Sequence, residues 1–257
     1  MNAPATRLSA ALLPALLPAL LLAALAWPCA AAGAAAASAA AAGVPDTLAR
    51  RVAACTACHA RVDANGAPIN DAFYPRLAGK PAGYLHHQMR NFRDGRRQYP
   101  LMTYLVEHLS DDYLREIAAY FAALPPTALP PATANPGAAP QVLARGRRLV
   151  HEGDPARGVP ACVACHGARL TGVQPFIPGL LGLPRDYLNA QFGAWRNGVR
   201  RAHAPDCMAT ITARLSFDDV AAIASWLAAQ PLPADARPAA ASATPLPLAC
   251  GSVGPAR

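Results

Sequence analysis

The apolar positions of this chain fall at helical rather than strand spacing. After Ser110, the residues Tyr113, Leu114, Ile117, Phe121 and Leu124 line one side of a helix. After Ser216, Val220, Ile223, Ala224 and Leu227 repeat that pattern. Each serine is a good N-cap followed by acidic residues in the first turn, which favours the helix dipole. Leu109 with Leu114, and Leu215 with Val220, stand at the spacing of a hydrophobic staple. Pro125, Pro126 and Pro231 stop the two helices. Residues 84–95 and 187–198 read as further helices with glycine ends, and 141–152 as an amphipathic helix. Residues 47–59 read as one helix running into a cysteine pair. No segment alternates like a strand, so the predicted fold class is all-α.

These elements repeat in order. Pro75-Arg76-Leu77-Ala78-Gly79, Tyr84-Leu85, Gln88, Phe92-Arg93 and Gly95 match Pro178-Gly179-Leu180-Leu181-Gly182, Tyr187-Leu188, Gln191, Trp195-Arg196 and Gly198. Met102 precedes Leu109-Ser110 as Met208 precedes Leu215-Ser216. The chain therefore reads as a tandem duplication of one small module. The predicted organisation is a leader (1–43), a first module (44–124), a proline-rich linker (125–140), a second module (141–231) and a C-terminal tail (232–257). The linker's prolines favour extended, semi-rigid backbone.

Each module opens with Cys-x-x-Cys-His: Cys55, Cys58 and His59, then Cys162, Cys165 and His166. On a helix, positions i, i+3 and i+4 share a face. Two thiols so placed can form thioethers to the two vinyl groups of one porphyrin, with the histidine beneath the iron. A zinc ribbon or a redox dithiol is the competing reading. Ribbons, however, place their cysteine pairs much closer together, and neither chemistry calls for the fifth-position histidine twice. The expected cofactors are two haem c. Met102 and Met208 are the methionines that correspond between modules, whereas Met89 corresponds to Phe192. They are the expected sixth ligands, against core filling as the ordinary role of methionine. His86, His87, His108, His151 and His203 are the competing sixth ligands, but they lack counterparts and read mostly as surface residues or as residues that support the ligands from behind.

The apolar run 8–27 after Arg7, and the alanine-rich stretch beyond it, have the shape of a cleaved export signal. An uncleaved membrane anchor is the alternative. Setting aside the four haem thiols and Cys29 leaves Cys207 and Cys250. In an oxidising compartment these read as one disulfide stapling the tail beside the second haem, against two buried thiols.

With these residues in hand, the chain from about 46 to 231 resembles the dihaem cytochromes of the c4 type. The resemblance rests on the two Cys-x-x-Cys-His sites, the Pro-x-Leu-x-Gly-x-x-x-x-Tyr-Leu segments and Met followed by Leu-Ser. It implies two tandem class I cytochrome c domains, each wrapped around one covalently bound haem. It also implies electron transfer in the periplasm, with a terminal oxidase, another cytochrome or a dehydrogenase as partner. Pro75 and Pro178 would then orient the two histidines through a backbone carbonyl.

A formal net charge of +8 makes nucleic acid the habitual partner of such a chain. An exported address excludes it, and four haem propionates would offset half the charge. Arg90, Arg93, Arg96 and Arg97, echoed by Arg196, Arg200 and Arg201, form either a solvated face pairing partly with propionates or a docking surface for an acidic partner. Two function classes remain: an electron carrier, alone or as a dehydrogenase subunit, and a peroxidase-like haem enzyme, which needs an open iron.

Overall fold

The computed structural model describes residues 46–126 and 138–254. The leader, its cleavage region, Cys29 and the centre of the linker lie outside them. Ten α-helices run through the described residues. In the first module they are α1 (Leu48–Arg51), α2 (Ala53–His59), α3 (Ala82–Arg93), α4 (Pro100–Val106) and α5 (Asp111–Ala123). The second has α6 (Pro140–His151), α7 (Val163–His166), α8 (Arg185–Arg196), α9 (Cys207–Arg214) and α10 (Phe217–Ala228).

The long helices end where local chemistry says they should. Ser110 caps α5 by accepting from the Tyr113 amide, and Ser216 forms a capping box with Asp219 on α10. Leu124 leaves α5 in extended conformation, as the residue before Pro125 must. Gly95 and Gly198, just past α3 and α8, take left-handed φ of 72° and 70°, which a side chain would resist. The all-α expectation holds, and one expectation needs correction. The stretch 47–59 is broken at Val52, whose fully buried side chain anchors the turn between α1 and α2. A two-residue antiparallel pairing, β1 (Gly172–Val173) with β2 (Ile177–Pro178), interrupts the helical pattern.

Each module has its own core. Val52, Leu85, Ile117, Ala118 and Phe121 form the first, where α3 crosses α5. Leu149, Val150, Leu188, Ile223 and Leu227 anchor the larger second core, where α10 packs on α6 and α8. The α6–α10 approach depends on Gly146, where a Cβ would collide with the Ala222 carbonyl. Gly146→Ala should therefore cost about 2 kcal/mol through overpacking. A thermal melt would check this, and an unchanged midpoint would show that the helices part freely.

The modules meet through residues that correspond in the repeat. Arg97 and Arg200 pair as an antiparallel bridge, flanked by Gln98 N–H to the Val199 carbonyl and Arg201 N–H to the Arg96 carbonyl, both 2.7 Å. The Arg97 guanidinium donates to Gln88 and Gln191, each at 2.8 Å. Arg200 donates to Gln191 at 2.7 Å, to Gln88 at 3.2 Å and to the Tyr84 hydroxyl at 3.4 Å. Arg97 covers the Phe92 ring, and Arg200 the corresponding Trp195 ring. The contact is thus self-complementary, like a two-fold interface built within one chain. Two of the seven arginines of the basic cluster are consequently neither a solvated face nor a docking surface: Arg200 is buried and Arg97 half-buried.

Two of the unmatched histidines lie inside: His86 and His87 are buried, not on the surface. His87 stacks on Phe176 of the second module, with ring centres 5.1 Å apart, and faces His203 at 5.7 Å. Burial, aided by His203, His86 and Arg90, pushes its pKa down to about 4, so the ring is neutral at pH 7. Gly83 makes room for Phe176, since a Cβ there would lie 2.5 Å from that ring.

Candidate haem sites

Short helices carry both cysteine pairs. In α7 the one-turn geometry turns Cys162, Cys165 and His166 to the same side, and His166 is buried. Its Nδ1–H donates to the Pro178 carbonyl at 2.7 Å, and His59 Nδ1–H donates to the Pro75 carbonyl at 2.7 Å. Each bond fixes the ring and its tautomer and leaves Nε2 as the ligating atom. Burial pushes the pKa of both histidines down, against the raising effect of the carbonyl they bond. Neutral imidazole is the form that binds a metal.

The thiols argue against redox dithiol chemistry. Burial raises the pKa of Cys55 and Cys165, and pushes that of Cys162 up to about 12. A reactive pair needs the opposite shift. Among the described residues, no three His, Cys, Asp or Glu side chains converge as a metal-holding group, and the two pairs belong to different cores. The zinc-ribbon reading therefore does not assemble.

The second module brings its expected residues together. Cys162, Cys165, His166 and Met208 line one cavity, whose remaining wall is mainly apolar, with Leu149, Leu188 and Ile211 among its residues. Its polar end lies at the junction between modules, where Lys80, Tyr84, Gln88 and Arg200 line it. Lys80 is buried, and burial together with Arg76, Arg200 and Arg97 pushes its pKa down to about 7. No carboxylate is among the groups acting on it. A flat apolar molecule with an anionic edge fits such a place: its ring would meet the aliphatic wall, and its acids the cations.

In the first module the corresponding histidine, His59, is half-buried rather than buried. Cys55 packs with the core of Val52 and Leu85, whereas Met102, on α4, packs with Phe92, Val106 and Leu114. Met89 and Leu109 join the two clusters. Tyr99, which precedes α4, lies close enough to Cys58 and Tyr74 for their charges to act on it, and Arg97 acts on His59. Tyr99, at the start of the segment leading to Met102, thus lies near Cys58. Cys207 and Cys250 are joined as a disulfide, with Cα atoms 5.0 Å apart. Sequence reasoning missed Lys80 as a site residue. It also gave Gln88, Gln191 and Tyr84 no role, although their repetition was visible.

No family model matches the chain. It is 40% identical over 180 residues to the thiosulfate dehydrogenase electron acceptor of Thiomonas intermedia, covering 70% of this chain and 80% of that one. It is 37% identical over 180 residues to cytochrome c4 of Pseudomonas aeruginosa, covering 69% and 84%. The crystal structure of reduced cytochrome c4 from Pseudomonas stutzeri superposes with a TM-score of 0.54 at 28% identity, over 70% of this chain and 95% of that one. The chain belongs with these proteins to the cytochrome c4 family, dihaem c-type cytochromes of two class I domains that transfer electrons and are not themselves enzymes.

Proposed function

We propose that this protein takes electrons from a periplasmic dehydrogenase and passes them on through two six-coordinate haems. The observation that carries the reading is the cavity where Cys162, Cys165, His166 and Met208 meet. Bound there and in the first module, haem supplies one-electron exchange between ferric and ferrous iron. Cys55 and Cys58 hold the first group and Cys162 and Cys165 the second. His59 and Met102 would hold the iron of the first, and His166 and Met208 that of the second. The Pro75 and Pro178 carbonyls keep each imidazole from turning, so little reorganisation accompanies electron movement. The apolar wall would exclude water, while Lys80 and Arg200 would hold the anionic edge. The domains we assign run over 44–124 and 141–231.

The names of the relatives favour a dehydrogenase that oxidises thiosulfate as the donor. The family and the expected leader both support a periplasmic location. Among the described residues no helix is long and apolar enough to cross a membrane. A spectrum of the haem-loaded protein, oxidised and reduced, with and without carbon monoxide, tests the reading. Two low-spin haems indifferent to carbon monoxide are expected. Carbon monoxide binding to the native protein would reveal an open iron and bring the enzyme reading forward.

A further inference from the structure

The two modules differ most at the face beside their methionines. In the first, this face lies open: Leu101, adjacent to Met102, is 45% exposed, and Tyr104 is 73% exposed. In the second, Cys207 takes the place of Leu101, and the C-terminal tail lies over it. Leu246, Leu248, Cys250 and Ser252 are half-buried and line the same cavity as Met208, as does the more exposed Val253, while Pro247, Ala249 and Gly251 between them are exposed. That alternation turns one side of the segment towards the cavity, through bends at 247–248 and a turn closed by the Val253 amide donating to the Cys250 carbonyl at 3.1 Å.

The segment is held at several points. The disulfide fixes Cys250 to the residue before Met208. The Gly251 amide donates to the Pro205 carbonyl at 2.9 Å, and Gly251 fits so closely that a Cβ would collide with the Ala204 carbonyl. Upstream, Ala239 exchanges backbone hydrogen bonds with Gly172 and Gln174, and Arg169 binds Asp235 at 3.1 Å. The tail is therefore part of the cavity wall rather than a loose extension.

We infer that residues 246–253 are a tethered cover over the second haem, confining direct exchange with molecules in solution to the first. The inference rests on haem occupying the cavity with Met208 as its ligand, and the test separates the two claims. Met208→Leu opens a coordination position at the second iron, and Met102→Leu opens one at the first. The probe is imidazole binding to each ferric holoprotein, followed by stopped flow. The Met102→Leu protein should bind imidazole at least about tenfold faster, because access to the second iron waits on local opening of the tail. Two changes to the cover, each combined with Met208→Leu, should remove most of that difference: truncation after Thr244, and Gly251→Ala, which leaves the disulfide in place. Equal rates for the two single variants, or cover variants that leave the Met208→Leu rate unchanged, would overturn the inference. Failure of either Leu variant to bind imidazole, with two haems present by pyridine haemochrome, would instead remove the ligand assignment beneath it.

Discussion

Met208→Leu should turn the second haem from low-spin to high-spin, let it bind carbon monoxide, and lower its potential by roughly 0.2 V, about a quarter of the range that axial ligands span. Leucine keeps the volume of the side chain, so the apolar wall survives and only the thioether is lost. Met102→Leu should do the same at the first haem. The informative control is Met89→Leu. Met89 packs between the two clusters of the first module, and its repeat counterpart is Phe192, which no iron could use as a ligand. That variant should leave spectrum and potentials alone. Optical redox titration reads all three. A native spectrum for Met208→Leu would mean that another side chain near the cavity ligates the iron.

Much of this was legible in the chain because the information is local. The spacing of Cys162, Cys165 and His166 sets one helical face, whatever surrounds it. Ser110 and Ser216 announce their helices through capping chemistry that acts within one turn. The short helices that carry the methionines were harder to read: α4 and α9 are too brief to show a full apolar period, and their starts rest on Pro100 and Asp206. The break at Val52 depends on the core beneath it, which no window of sequence reports. The junction between modules was least legible. Repetition shows that Arg97 and Arg200 are equivalent, but not that they meet each other. Gly83 and Phe176 carry no repeat signal in common, yet one exists to receive the other.

The same junction sets the second large expectation: Arg200→Gln should destabilise the holoprotein by about 3 kcal/mol, the cost of removing one member of a buried charged network. Arg200 is 6% exposed and shares the Gln191 and Gln88 acceptors with Arg97. Its own burial and the charge of Arg97 lower its pKa, so the position is costly to the fold unless an anion faces it. Haem acids at the polar end of the cavity would supply that anion, and the loss would then be larger in holoprotein than the contacts between side chains alone would give. Arg97→Gln removes the symmetric partner from a half-buried place and should cost about 1 kcal/mol less. For a chain of this size, a 3 kcal/mol loss moves the melting midpoint by about 10 °C. Thermal melts of the two variants, followed at a haem band and in the far ultraviolet, would rank them. Equal midpoints would show that burial at Arg200 does not set the strength of the junction. A native midpoint for Arg200→Gln would show that the modules are held together by the Phe176–His87 contact instead.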